Sequence, residues 1–273
     1  MELTTTLFVV VIIIALICQY MSVSLGVGYG TAVTPLLLII GFAPLQIVPA
    51  VLLSQLLGGV IGGIAHHRAG HIHLDFKRDE ELIKQRLRGF GYLPKSRDAK
   101  VVLVLVLFGI AGVLVGVFTA VKIPRTALEA YIGALVLVIG LAVLLQRKKI
   151  RAFSWKGILA IGILGSFNKG MSGGGYVPLV TGGQIISGGE AAGSVGITTV
   201  SIAVLCAVGF LAYALVEGDI YWKMVLAASI GSVIAAPFAA LAAKRLSADK
   251  LRLIISAATI ILGVLTLLRT FVF

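Results

Sequence analysis

The chain has 273 residues, of which 59% are hydrophobic and only 12% charged, with a formal net charge of +12. A mean hydropathy of +1.09, and apolar runs that approach the roughly 20 residues needed to cross a bilayer, exclude an ordinary soluble domain. The surplus of Lys and Arg falls in polar connections, as in the cytoplasmic loops of membrane proteins, so no nucleic-acid partner is expected. Cys18 and Cys206 each sit in apolar surroundings without CxxC spacing; they read as small packing residues, neither a disulfide nor a metal pair.

Ten apolar segments follow one another at 4–25, 31–42, 44–65, 100–121, 126–146, 156–170, 174–187, 191–216, 221–243 and 251–268. No basic stretch precedes the first, which reads as a retained helix rather than a cleaved signal peptide. The second and seventh are too short for a comfortable span, since twelve helical residues reach only about 18 Å. Each follows a glycine cluster and holds or begins near a proline, Pro35 or Pro178. They are expected to be half-helices or re-entrant arms. Irregular backbone at membrane depth survives only where protein or a water-filled cavity satisfies its N–H and C=O groups, so the short segments mark a cavity.

Charge gives the orientation. The loop 66–100 carries nine Lys/Arg, 147–156 carries five and 244–252 carries four, together 18 of the 23. The positive-inside rule makes these loops cytoplasmic and puts both termini on the outer side. The third segment then runs inward and the eighth outward. Within the first loop, Leu82, Ile83, Leu87 and Phe90 among charged residues predict an amphipathic helix on the membrane surface across 76–100. The pairs Gly58/Gly62, Gly59/Gly63 and Gly112/Gly116 have the small-xxx-small spacing of closely packed helices.

An internal repeat organises the chain. Gly28-Tyr29-x-x-x-Val33-Thr34 recurs as Gly175-Tyr176-x-x-x-Val180-Thr181, and between 28–66 and 175–213 ten of 39 positions are identical without a gap. The expected fold is all-α and polytopic, with about ten hydrophobic segments in two inverted repeats that include the two short half-helices or re-entrant arms. Residues 1–150 form the first repeat, with the cytoplasmic loop 66–100, and 151–273 the second. Repeats of this kind are how many transporters build a site near the bilayer midplane.

Glycines at Gly26, Gly28, Gly30, Gly173, Gly174 and Gly175 let backbone come close to a ligand, and N–H groups at a helix N-terminus favour an anion. Thr34, Thr181, Ser54, Gln55 and Ser201 could add neutral hydrogen bonds. The competing reading is that the glycines serve tight helix packing alone. Lys169 is the one basic residue outside loops and ends. A mid-membrane charge costs at least about 2.5–3.5 kcal/mol and usually faces a functional cavity, although a short sixth segment could let Lys169 snorkel to the surface. Asn168 beside it either orients an anion or caps a broken helix. His66, His67, His71 and His73 suggest a metal, but no Cys, Asp or Glu cluster completes a shell. Glu190 is placed to favour the N-terminus of the eighth segment. No metal or other cofactor is expected, and nothing points to an enzyme.

The motifs resemble the sulfite exporter (TauE/SafE-like) family of membrane permeases for sulfur-containing anions. The resemblance is carried by Gly26-Val27-Gly28-Tyr29-Gly30-Thr31-Ala32-Val33-Thr34-Pro35 with Gly41-Phe42-Ala43-Pro44 after it. The second carrier is Gly173-Gly174-Gly175-Tyr176-Val177-Pro178-Leu179-Val180-Thr181 with Ala192-Gly193-Ser194. It implies a multi-pass inner-membrane transporter of a small oxyanion such as sulfite, sulfonate or thiosulfate, with the bilayer as its other partner; homo-oligomerisation is compatible with the sequence. An inside-negative potential drives an anion outward by about 2.3 kcal/mol per charge per 100 mV, which favours export. The alternatives are a cation or metal transporter using His66–His73 and a proton- or sodium-coupled anion importer. The loop charges make one prediction: a single cysteine at position 96 reacts with an impermeant maleimide only from the cytoplasm, and one at position 217 only from outside. Labelling of both from one face would refute the inverted topology.

Overall fold

The computed structural model describes residues 3–74, 76–78, 92–94, 96–145, 154–242 and 248–272. Its helices are α1 (Thr5–Leu25), α2 (Tyr29–Ile40), α3 (Pro44–Arg68), α4 (Arg97–Lys122), α5 (Arg125–Leu145), α6 (Trp155–Ser172), α7 (Tyr176–Ile186), α8 (Ala191–Glu217), α9 (Trp222–Ala242) and α10 (Ala248–Val272). Every expected apolar segment is a helix. Six of them, α1, α3, α4, α5, α8 and α9, are long and apolar enough to cross a membrane, and the chain is a multi-pass membrane protein.

Local chemistry sets several boundaries. Thr4, Ser96 and Ser154 cap α1, α4 and α6 by accepting hydrogen bonds from Leu7 N (3.4 Å), Ala99 N (3.1 Å) and Gly157 N (3.3 Å), which satisfies N–H groups that have no partner inside the helix. Along α1, Val9, Ile13, Ile17 and Tyr20 form an exposed apolar stripe, while Val11, Ala15, Cys18 and Ser22 are buried. In water such a stripe would be a liability; against lipid it is the ordinary outer face.

The expected surface helix over 76–100 is not formed at its ends. Residues 76–78 (β1) and 92–94 (β2) pair as an antiparallel ribbon, Phe76 opposite Pro94, and from Arg97 the chain is already in α4. Aromatic and apolar residues at both ends, with Pro94 closing the second strand, suit a short ribbon better than a helix. Residues 79–91, which hold Leu82, Ile83, Leu87 and Phe90, lie outside the described residues.

The halves interlock. α1 packs mainly on α9 and α6 mainly on α4, so the first helix of each half rests on the fourth of the other. The third helices, α3 and α8, cross antiparallel: Cβ positions at Gly59, Gly63 and Gly209 meet Ala203, Val200 and Leu52. α5 and α10 are antiparallel too, with Gly133 against Leu267 and Gly140 against Ile260. Equivalent elements therefore run in opposite directions, as inverted repeats require. The α5 C-terminus and the α10 N-terminus meet at one end of the bundle.

Glycines fix the closest approaches. A Cβ on Gly116 would overlap Phe167 O and lie 3.0 Å from Met171 N, and one on Gly170 would lie 2.9 Å from Val117 N. Because backbone is the obstacle, Gly116→Val should destabilise by about 1–3 kcal/mol or prevent folding. Gly157→Ala, whose Cβ would meet only Ser154 at 3.6 Å or more, should change stability by less than about 0.5 kcal/mol. Thermal unfolding in detergent tests the pair; equal melting temperatures would contradict the α4–α6 contact.

Candidate functional site

Two helix breaks build the centre of the molecule. α1 ends at Gly26 (φ 72°) and α6 at Gly173 (φ 70°), both left-handed, with N–H groups donating to Ser22 O and Lys169 O at 2.9 Å. Gly28 (φ 97°) and Gly175 (φ 82°) then start α2 and α7. Only glycine takes these angles without a Cβ penalty. The breaks abut. A Cβ on Gly30 would overlap the Gly173 carbonyl, one on Gly174 would lie 3.0 Å from Gly30 C and Thr31 N, and one on Gly28 would lie 2.9 Å from Pro178 Cδ. Thr34 Oγ1 is 3.2 Å from the Cβ position of Gly173, and Thr181 Cγ2 is 2.8 Å from that of Gly26.

The remaining expected site residues surround this crossing. The hydroxyls of Tyr29 and Ser54 are 2.9 Å apart, and Ser54 O accepts from Ser232 Oγ at 2.7 Å. Ser201 stands beside Tyr176, the equivalent pair in the second half, but its hydroxyl donates to Ile197 O at 2.8 Å. Asn168 Oδ1 accepts from Tyr131 Oη, and Asn168 O from Ser172 Oγ at 2.8 Å. Lys169 is 0% exposed, so it does not snorkel. Its Nζ donates to Gln55 Oε1 and to Gly173 O, and adjoins the Cys206 thiol. Among the described residues no aspartate or glutamate is buried.

The glycine N–H groups differ from the open cluster expected for an anion. Gly173 N donates to Lys169 O, Gly174 N to Ser172 Oγ (3.1 Å) and Gly175 N to Thr31 Oγ1 (3.1 Å). With the breaks pressed together, these donors close on the protein itself. In contrast, the buried Thr34 Oγ1 and Tyr176 Oη have no hydrogen-bond partner among the described residues. A buried hydroxyl without a partner costs about 1–3 kcal/mol and calls for an explanation.

The ends of the bundle are unlike. At one, a cavity of about 270 Å³ is lined by His71, His73, Arg97, Asp98, Gln184 and Glu190 among others. At the opposite ends of α3 and α8, Tyr221 Oη accepts from Leu3 N at 2.7 Å and its ring packs on the buried Phe42, centroids 6.4 Å apart. The histidine nitrogens are turned to one another and to backbone. His66 Nε2 donates to Val23 O (2.9 Å), so His66 Nδ1 accepts from His71 Nδ1 (2.8 Å), and His67 Nδ1 donates to Ile72 O (3.1 Å). That arrangement holds the α3 C-terminus and uses nitrogens a metal would need. Glu190 is the residue before α8, but its side chain makes no capping bond.

Sequence reasoning missed Cys206, Gln19, Tyr131, Tyr213 and Ser232. Gln19 was visible as an amide inside an apolar segment. Cys206 carried no signal, because its neighbour Lys169 comes from another helix. Thr34→Val gives a stability test. Removing a hydroxyl without a partner should leave the melting temperature unchanged or raise it, whereas Tyr29→Phe, which breaks the bond to Ser54, should cost about 0.5–1.5 kcal/mol. Equal losses in both would show that the Thr34 hydroxyl is satisfied.

The profile of the family described as Sulfite exporter TauE/SafE matches residues 88–266. The chain is 24% identical over 272 residues to the "Probable membrane transporter protein YtnM" of Bacillus subtilis (strain 168), covering 95% of this chain and 82% of that protein. No solved structure matches significantly. With the matched profile spanning well over half its length, the chain belongs to the sulfite exporter TauE/SafE family.

Proposed function

We propose that this membrane transporter carries a small sulfur-containing oxyanion, such as sulfite, a sulfonate or thiosulfate, outward across the cell membrane, with the anion held where the two helix breaks meet. The carrying observation is Lys169, a basic side chain buried at that crossing with only neutral partners and no buried carboxylate among the described residues. A buried charge without a counter-charge is costly, and an anionic substrate supplies the missing partner. The hydroxyls of Thr34 and Tyr176 are donors in want of an acceptor, which an oxyanion provides. The family description names sulfite export, which supports this substrate class.

Movement follows alternating access between two inverted repeats, divided near residue 150. The polar cavity lies at the end that the basic loops make cytoplasmic, while Leu3, Phe42 and Tyr221 pack together at the opposite end. The glycine N–H groups reach the anion once the breaks part. An inside-negative potential favours export of the anion. No catalytic step is assigned.

Ligand-induced thermal stabilisation across sulfite, thiosulfate, ethanesulfonate, sulfate and chloride tests the reading. One or more sulfur oxyanions should stabilise the wild type. In Lys169→Met the affinity should fall roughly 10- to 150-fold, the scale of a hydrogen bond to a charged group. A folded Met variant that binds as tightly as the wild type removes Lys169 from the site; stabilisation by none of the panel removes the substrate class.

A further inference from the structure

Resting on the anion-transport reading, we propose that Lys169 and Cys206 form a net-neutral amine–thiol pair that takes up one proton when the anion binds, so that anion and proton cross the membrane together. The contacts of Lys169 Nζ carry the argument. It faces two carbonyl oxygens, Gln55 Oε1 on α3 and Gly173 O at the break, and one thiol, Cys206 on α8. A neutral amine has two N–H donors and one lone pair. The two oxygens take the donors, and the thiol S–H donates to the lone pair. Moving the thiol proton to nitrogen gives an ammonium–thiolate pair with the same net charge, so the site is neutral either way.

The other titratable groups do not supply a fixed counter-charge. Tyr29 of α2 and Tyr176 of α7 lie within electrostatic range of Cys206, and Cys18 of α1 within range of Tyr29. Tyr131 of α5 holds Asn168, and Tyr213 of α8 donates to Gly170 O at 2.8 Å. α4 presents Val113, Gly116 and Val117 to this turn of α6, none of them titratable. Phenols and thiols hold their protons at neutral pH. The amine is therefore the base that an arriving anion protonates: Lys169–NH2, a proton and the anion give Lys169–NH3+ paired with the anion, and release on the far side reverses the step. A dianion moving with one proton keeps one net negative charge, so the membrane potential still drives it outward.

Purified protein in weakly buffered detergent, with a pH indicator, is titrated with ethanesulfonate and with thiosulfate, which carry no proton of their own near neutrality. The wild type should take up one proton per anion bound, and its affinity should fall about tenfold per pH unit while Lys169 is neutral. Lys169→Arg, whose guanidinium stays protonated, should bind without proton uptake and with a flat pH profile. Cys206→Ser, which keeps an O–H for the amine, should retain the uptake. Binding by the wild type without proton uptake, or uptake that persists undiminished in Lys169→Arg, overturns the coupling and leaves the transport reading intact. Binding of neither anion, with no stabilisation by sulfite, overturns the transport reading and the coupling with it.

Discussion

A break in a helix at membrane depth exposes backbone groups that lipid cannot satisfy, and here two such breaks are pressed into each other. The side-chain chemistry of the centre follows from that constraint. Gly173 O takes Lys169 Nζ, Gly174 N takes Ser172 Oγ, Gly175 N takes Thr31 Oγ1, Gly170 O takes Tyr213 Oη and Val23 O takes His66 Nε2. Each bond adds only about 0.5–1.5 kcal/mol net, but leaving its buried group unpaired would cost more. The polar residues of these apolar helices are thus first a repair of the backbone. Ligand chemistry has to be built from what the repair leaves over, and that includes the amine of Lys169 and the hydroxyls of Thr34 and Tyr176.

The repeat shows where that repair is shared and where it is not. His66 to Val23 O and Tyr213 to Gly170 O are the same bond in the two halves, 147 positions apart, made once by an imidazole and once by a phenol. Tyr29 with Ser54 and Tyr176 with Ser201 hold equivalent positions, but only the first pair is joined by a hydrogen bond. The Lys169 contact set has no such double. Its members Lys169, Gln55 and Cys206 correspond to Ser22, Ile202 and Gly59. The basic group stands on one side of a nearly twofold centre, which on the proposed reading gives a substrate one binding pole instead of two competing ones.

Much of this was legible in the sequence. Apolar runs marked all ten helices among the described residues, because lipid demands length and hydrophobicity together. The ungapped Gly-Tyr and Val-Thr pairs marked the repeat, and the short segments beside glycines marked the crossing. The antiparallel passage of α3 and α8 follows from loop charge and segment count, since an even number of segments, α4–α7, lies between them. What could not be read depends on contacts between distant helices. The spacing of Gly173–Gly175 suggested free N–H donors, yet whether a donor is free depends on Thr31 and Ser172 reaching it. Cys206 looked like packing because its meaning lies in Lys169, on another helix. The ribbon at 76–78 and 92–94 was hidden for a different reason. Scattered apolar residues in a charged loop fit a helix or a hairpin equally, and pairing decides between them.

The two mouths differ by sequence and not only by posture. Gly189, Glu190, Gly193 and Ser194, which line the polar cavity, align with Phe42, Ala43, Gln46 and Ile47 at the opposite end. The ends are about 36 Å apart along the 25 residues of α3 at 1.5 Å per residue. A transporter whose halves were identical would spend equal time open to each side; these substitutions remove that balance. Burying the Phe42 side chain contributes about 1.5–3 kcal/mol to closure of its own end, and Gly189 makes no corresponding contribution where the cavity lies. A difference of that size populates one conformation over the other by roughly 10- to 150-fold. Under the proposed alternating access, these four pairs of equivalent residues favour an open polar end, and a ligand that opens the Phe42 end must supply a differential affinity of at least that magnitude.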